Sequence, residues 1–232
     1  GDTVAGRPPD GPVRFRERGL VMEADVVGGN KTGHFLDQRD NRALVRGMAE
    51  GAAVLDVFSS TGGFAMSAAA GGAASVHMVD ASSGAIEAAH RNFAHNRHLR
   101  PVRDCAVDAT VGDAFAVLAR LAAEGRRFDV VILDPPSFAS NKASVPKALH
   151  AYRRLTGAGL AVLADGGTLV QASCSSRVTT DEFADAVLGA ARATGATVRE
   201  VRRTGHPLDH PIGFEQGAYL KALYLTARRT AR

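Results

Sequence analysis

A chain of 232 residues with 45% apolar content is long enough for one α/β domain with a full core and a small appendage. Its net charge of +4 permits nucleic-acid binding without demanding it. No apolar run is long enough for a membrane span, the Gly/Pro-rich stretch from Gly1 to Pro12 has no signal-peptide core, and Cys105 and Cys174 make no disulfide framework. Membrane proteins and secreted disulfide scaffolds are therefore excluded, and a reducing cytoplasm is the expected compartment.

Residues 1–11 read as loosely attached chain. Val13 and Phe15 then alternate with Arg14 and Arg16, and Leu20, Met22, Ala24 and Val26 recur at period two after Gly19, predicting a β-hairpin that Gly28-Gly29 ends. The chain divides into an N-terminal arm and hairpin, 1–30, and a main domain, 31–232. Residues 31–39 lead into a polar helix with Leu44, Val45 and Met48 on its buried side.

From residue 52 onward strands and helices alternate. Strands are predicted at 52–57, 75–79, 107–111, 128–133, 167–173, 197–203 and 218–226, and helices at 63–71, 83–95, 113–124, 146–163 and 180–194. Alternation implies right-handed crossovers and a mainly parallel sheet. Only Gly205 to Gly217 separates the last two strands, so they should form an antiparallel hairpin at one edge. The fold class is α/β and Rossmann-like, with seven strands in the main sheet and a small N-terminal hairpin beside it.

The chemistry centres on Val54-Leu55-Asp56-Val57-Phe58-Ser59-Ser60-Thr61-Gly62-Gly63-Phe64, which reads as a buried strand, a tight turn and a helix N-terminus. A second apolar run ends in Asp80. Such a unit grips a nucleoside-bearing cofactor, the glycines admitting the ligand and the second acid accepting from ribose hydroxyls. The two glycines are adjacent and late, unlike G-x-G-x-x-G, and Asp56 would repel a pyrophosphate. A cationic sulfonium with an amino-acid tail suits the turn better, so the expected cofactor is S-adenosylmethionine. A glycine turn without any cofactor is the alternative reading.

Ligands bind beyond the carboxyl ends of parallel strands, where Asp56, Asp80, Asp113 and Asp134 fall. Asp80 is the ribose candidate and Asp113 the partner for the adenine amine, though either could serve in helix capping alone. The expected cofactor set is Asp56, Ser59, Thr61, Gly62, Asp80 with Ala81, Asp113 with Ala114, and Asp134. In Asp134-Pro135-Pro136-Ser137-Phe138, two prolines stiffen an acceptor-rich loop suited to a planar nucleobase. Pro135, Pro136, Ser137 and Phe138 are accordingly expected at the substrate. Cys174, flanked by serines at the next strand end, is the candidate nucleophile, whereas Cys105 should pack. His77 should be a core residue, and the other histidines lack metal-ligand spacing, so no metal is expected.

Together these motifs resemble the bacterial family of large-subunit ribosomal RNA 5-methylcytosine methyltransferases, a class I S-adenosylmethionine-dependent group. Lys31-Thr32-Gly33 with Phe35-Leu36-Asp37-Gln38-Arg39 is similar to its entry motif. Thr61-Gly62-Gly63-Phe64, Asp134 to Phe138, Ser173-Cys174-Ser175, Asp209-His210-Pro211 and Tyr219-Leu220-Lys221 follow in family order across residues 13–227. The resemblance implies that the entry motif folds over the cofactor, adding Thr32, Phe35 and Gln38 to the cofactor set. It also implies that Cys174 attacks C6 of cytosine, with Asp134 assisting at the N3 edge, and puts Lys221 at the substrate. The fourth residue of the Asp-Pro-Pro loop is Ser137, with Phe138 one place later than the aromatic of amine-directed nucleic-acid methyltransferases. Ser137 also matches the branch that uses one cysteine.

Family members ordinarily open with an RNA-binding PUA domain. The sequence here starts near the hairpin, so the expectation is either a truncated piece or a natural short form, and without that domain Arg14, Arg16, Arg18 and other basic surface would contact the RNA. Large-subunit ribosomal RNA is thus the expected partner, and a homodimer is compatible with the sequence. A methyltransferase of the same fold acting on a small molecule or an exocyclic amine is the runner-up. A binding protein without catalysis and a nicotinamide oxidoreductase follow.

Overall fold

The computed structural model describes residues 5–29, 33–214 and 217–228; Lys31 and Thr32 of the entry motif lie outside them. The chain opens with an antiparallel hairpin, β1 (Val13–Glu17) and β2 (Leu20–Ala24). Arg18 and Gly19 between them both take positive φ, 47° and 87°, the left-handed pair a tight two-residue hairpin turn needs. A single 3₁₀ turn at Leu36–Gln38 then runs into α1 (Arg39–Gly47).

The main domain continues as β3 (Ala53–Val57), α2 (Gly63–Ala70), β4 (Ser75–Asp80), α3 (Ser83–His95), α4 (Arg100–Asp104), β5 (Ala106–Val111), α5 (Ala114–Ala123) and β6 (Phe128–Leu133). It closes with α6 (Val145–Ala161), β7 (Leu163–Ser173), α7 (Thr180–Ala193), β8 (Thr197–Thr204) and β9 (Lys221–Arg228). The seven-stranded sheet has the order β5-β4-β3-β6-β7-β9-β8. The first five strands are parallel, while β9 pairs antiparallel with both β7 and β8, forming the expected edge hairpin.

Alternation along the central strands sends side chains into two cores. Leu55, Val57, Val131 and Leu133 face α5, α6 and α7, meeting Leu118, Leu121, Tyr152, Leu155 and Phe183. Val54, Val130 and Ile132 face the other way, toward Val45, Met66, Ala89 and Phe93, and this second core also takes in Leu20 and Met22 of the hairpin. The hairpin thus shares its apolar core with the domain it precedes. Buried His77 belongs to β4, its Nε2 2.9 Å from Thr110 Oγ1.

Most element ends agree with the sequence reading to within two residues, and the larger departures have physical causes. β7 begins at Leu163 rather than 167: a register shift against β6, from Phe128↔Leu163 to Val130↔Thr168, absorbs Asp165-Gly166-Gly167 within the strand. The short α4, started by Pro101 in its first turn, has no counterpart in the sequence reading between α3 and β5. β9 begins at Lys221 rather than 218, because Tyr219 turns away to donate to Asp37 at 2.9 Å.

Candidate active site

β3 and β6 are neighbours although four helices and two strands separate them in sequence, so the strand order reverses between them. That reversal opens a crevice at their carboxyl ends, which is where an open α/β sheet holds its ligand. Asp56 stands next to the end of β3 and Asp134 just past β6, with the amide of Asp134 donating to Val57 O.

The glycine turn is built from left-handed residues: Phe58, Ser60 and Gly62 have φ of 64°, 49° and 76°. For Phe58 and Ser60 that conformation costs on the order of 1–3 kcal/mol each, a strain typical of functional turns. Gly62, expected to let the cofactor approach, instead admits α3, since a Cβ there would lie 2.8 Å from the Ala89 methyl. Gly63 similarly makes room for Arg42 and His34.

Asp56 is fully buried. Its Oδ2 accepts the Ala65 amide at 2.9 Å, tying β3 to the start of α2, while Oδ1 has no hydrogen-bond partner. Burial, reinforced by the negative charges of Asp134 and Asp80, pushes its carboxyl up to about 7 despite the Ala65 amide. The Ser59 hydroxyl is likewise buried without a partner. Two orphaned polar atoms in one turn, one an acid, fit a cationic ligand with hydrogen-bonding groups.

Asp80 is more occupied than a simple ribose acceptor: its two oxygens accept the amides of Ser60 and Ser82 at 2.8 and 2.9 Å. It therefore joins the β3–α2 and β4–α3 turns, with exposed Ala81 between. Asp113 caps α5 through the Ala116 amide at 2.9 Å, and the adjacent Ala114 packs in the core. The Thr61 hydroxyl, also expected at the cofactor, meets His34 Nδ1 at 3.3 Å.

The entry segment lies against this turn. Buried Arg42 binds Glu17 through two hydrogen bonds of 2.6 and 2.5 Å and donates a third to Phe35 O at 2.8 Å. Burial alone would raise the Glu17 carboxyl, but the Arg42 hydrogen bonds, with His34 Nε2 3.7 Å away, outweigh it and hold Glu17 down to about 2. Burial lowers the imidazole of His34. Further along, Arg39 clasps Asp209 at 2.6 and 2.9 Å, fastening the Asp209-His210-Pro211 loop to the entry motif and keeping Asp209 at about 2.

Gln38, expected at the cofactor, donates from its amide nitrogen to Asp134 Oδ1 at 2.9 Å. Its oxygen accepts from Asn41 Nδ2 at 2.6 Å, and Asn41 Oδ1 accepts from Thr204 and Tyr224 at 2.6 and 3.0 Å. A chain of polar side chains thus runs from the edge hairpin to the Asp134 carboxylate, fixing which way each amide points.

Because β6 and β7 pair, the loops after them meet: Cys174 Sγ approaches Pro135 O at 3.8 Å. Ser175 Oγ donates to Ala139 O at 3.4 Å, adding a second tie. Pro136 and Ser137 are exposed at the rim, with the Ser137 hydroxyl on Ala139 O. Phe138, expected at the substrate, has its ring centre 5.0 Å from that of Tyr152. Tyr152 is buried, pushed up to about 12 by burial, with its hydroxyl 2.7 Å from Ser173 Oγ.

Lys221, expected at the substrate, is buried. Its ammonium donates to Ser175 O and Val178 O, pinning the Cys174 loop from beneath. Burial brings it down to about 8, opposed by the charge of Cys174 and then Glu182. Cys105 is buried, its thiol pushed up to about 11. Among the described residues, no group of three or more His, Cys, Asp or Glu side chains could hold a metal ion.

Sequence reasoning missed the residues that join these parts. Asn92 of α3 accepts the Glu23 amide at 2.8 Å and donates to Thr61 O at 2.9 Å, linking β2 to the glycine turn. Asn96 makes paired bonds to the backbone of Val21, and Glu23 binds Arg91 and His95. Two buried asparagines four apart on an otherwise apolar helix face were the available signal.

A model of the S-adenosylmethionine-dependent methyltransferase family matches residues 4–226. The chain is 45% identical over 226 residues to a protein named ribosomal RNA large subunit methyltransferase from Deinococcus radiodurans, covering 97% of this chain and 54% of that protein. It is 40% identical over 220 residues to ribosomal RNA large subunit methyltransferase I of Shewanella amazonensis, covering 94% and 54%. It therefore spans about half the length of these curated relatives. The crystal structure of SMU.776 complexed with SAH superposes with a TM-score of 0.83 at 27% identity, over 96% of this chain and 58% of that one. Trm5b from Pyrococcus abyssi, at 18% identity and a TM-score of 0.69 over 97% and 58%, shares the fold.

Proposed function

The chain belongs to the S-adenosylmethionine-dependent methyltransferase family, and from that premise we propose that it methylates C5 of a cytosine in large-subunit ribosomal RNA through a covalent adduct on Cys174. The relatives' names support the RNA, and a ribosomal substrate implies a cytoplasmic enzyme. The observation that carries the cytosine chemistry is the meeting of the two loops, with the Cys174 thiol 3.8 Å from Pro135 O, one residue from an oriented Asp134.

Bound S-adenosylmethionine supplies an electrophilic methyl group, with the turn at Asp56, Ser59 and Asp80 as its cradle. Cytosine C5 is a weak nucleophile, which is why a thiolate is wanted. Cys174 Sγ bonds to C6, and the electron pair of the C5–C6 double bond shifts to make C5 enamine-like. After C5 is methylated, its proton leaves to a base, the double bond re-forms and the C6–S bond breaks, returning the thiolate. Asp134, oriented by the Gln38 amide, is assigned the N3 edge of the base: in its protonated form it donates to N3 and passes that proton on as the attack shifts negative charge there, taking it back when the C6–S bond breaks. The target base leaves any stack to reach this pocket.

The test is transfer of labelled methyl groups to unmodified large-subunit RNA, followed by nucleoside digestion, with Cys174→Ala in parallel. Label in 5-methylcytidine that disappears in the variant is expected. Label in an N-methylated nucleoside, or none from folded and cofactor-loaded protein, overturns the reading.

A further inference from the structure

The stretch from Pro135 to Ala164 contains no aspartate or glutamate, yet carries Lys142, Lys147, His150, Arg153 and Arg154. On α6, Ala148, Tyr152 and Leu155 are buried against the core, while Lys147, His150, Arg153 and Arg154 are all exposed. The basic side chains therefore occupy the solvent face of one helix. Among the described residues none of Lys142, Lys147, Arg153 and Arg154 has a carboxylate within ion-pair distance. Several surface cations elsewhere are paired, Arg18 with Asp40, Arg100 with Asp104, Arg120 with Glu124 and Arg203 with Glu200, and those that are not stand apart from one another in sequence or beside acids rather than in an acid-free run. The acids that open α7 are committed, Asp181 to Arg203 and Glu182 to the Thr179 cap.

Position adds what charge alone cannot. α6 follows directly from the Asp134 loop, so its first turn stands at the catalytic end of the sheet. The Asn141–Ser144 capping box fixes the 3₁₀ turn that carries Lys142 there. Arg154 lies over the Phe115 ring, 4.8 Å from its centre. Lys147 and Arg154 are seven residues apart, about 10 Å along the helix axis. Exposed Arg177 extends the cations to the Cys174 loop.

We propose that the outer face of α6 is the track for the RNA backbone, its phosphates on Lys142, Lys147 and Arg153 while the target base enters the pocket. This rests on the RNA reading above. Like charges held together without acids repel, and a polyanion relieves that repulsion with release of its counterions. Arg14 and Arg16 of the hairpin belong to the other side of the sheet, where the second core lies.

The test is binding of transcribed large-subunit RNA across a salt series. The variant Lys142→Ala/Lys147→Ala/Arg153→Ala is compared with the parent and with a control of equal charge, Arg97→Ala/Arg127→Ala/Arg192→Ala. At a slope of about 0.7 per phosphate, the track variant's log–log salt slope should fall by about 2. Its affinity should then be about 100-fold weaker at 0.1 M salt and converge on the parent near 1 M. S-adenosylmethionine binding should be unchanged, and the control should stay near the parent. A parent that binds RNA with the track variant unaffected, or a control that loses as much, overturns the track alone. A parent that binds no RNA at any salt overturns both the track and the RNA reading.

Discussion

Beneath the hairpin, Glu17 and Glu23 are buried against donors that fold with them: the Arg42 guanidinium on one, the Arg91 guanidinium and the His95 ring on the other. At the catalytic end, Asp56 is buried as completely, with a single amide for company and one oxygen bare. A carboxyl is held down in the first region, Glu17 at about 2 and Glu23 below its ordinary value, and that of Asp56 is pushed up to about 7 in the second. An acid whose partner is built in has finished its work when the chain folds. One left short of partners costs stability until something arrives, and on the function proposed above the cationic sulfonium and ammonium of the cofactor supply what the turn lacks. The hairpin side is a clamp; the crevice is a receptor.

Breaking the clamp should have the largest effect. Arg42→Ala strands the Glu17 carboxylate and is expected to cost about 3–5 kcal/mol. For a domain of this size that lowers the melting temperature by roughly 6–20 °C, while Arg100→Ala, a surface pair, leaves it unchanged in the same calorimetric scan. The sign with pH follows from Glu17. Its folded value lies below the usual 4.5, so its contribution is complete above pH 4.5 and lost as pH falls toward 2. Arg42→Ala should lack that acid-side loss.

On the receptor side, Gln38→Leu removes the donor that orients Asp134. We expect kcat to fall about 100-fold, as for a lost oriented donor, with KM for S-adenosylmethionine within a few-fold, read from steady-state methyl transfer. Lys221→Met leaves two loop carbonyls without their donor and should cost about 2 kcal/mol, or roughly 4–8 °C in melting temperature. The smallest effect is also the sharpest test of the contrast. The folded value of Asp56 lies above its unfolded 3.8, so the acid favours the folded chain less as pH rises from about 4 to 7 and then levels off. Asp56→Asn should therefore gain on the parent in melting temperature over that window in the cofactor-free protein. It should also lose the rise in cofactor affinity that the parent shows as Asp56 ionises.

Much of the fold was readable because the central strands are short apolar runs whose length and punctuation leave little choice, as at Val54–Val57 and Val130–Leu133. The loops after them were readable for the same reason: Asp56, Asp134 and Cys174 stand where such strands must end. The interiors of those loops were not. Gly62 serves the approach of α3 and Lys221 the Cys174 loop, and nothing in their local sequence separates these roles from ligand contact. Asn92 and Asn96 bond to backbone some 70 residues away, and no periodicity reports a side chain standing in for a neighbouring strand.

Asn92 has a consequence for how such proteins exchange parts. Both ends of its amide are spent, one on the Glu23 backbone and one on Thr61 in the glycine turn. A hairpin transplanted onto another methyltransferase would arrive with an open strand edge and no asparagine to close it, unless α3 travelled too. The structural unit here is the hairpin together with that helix, although Ala24 and Ser83 stand almost sixty residues apart in the chain.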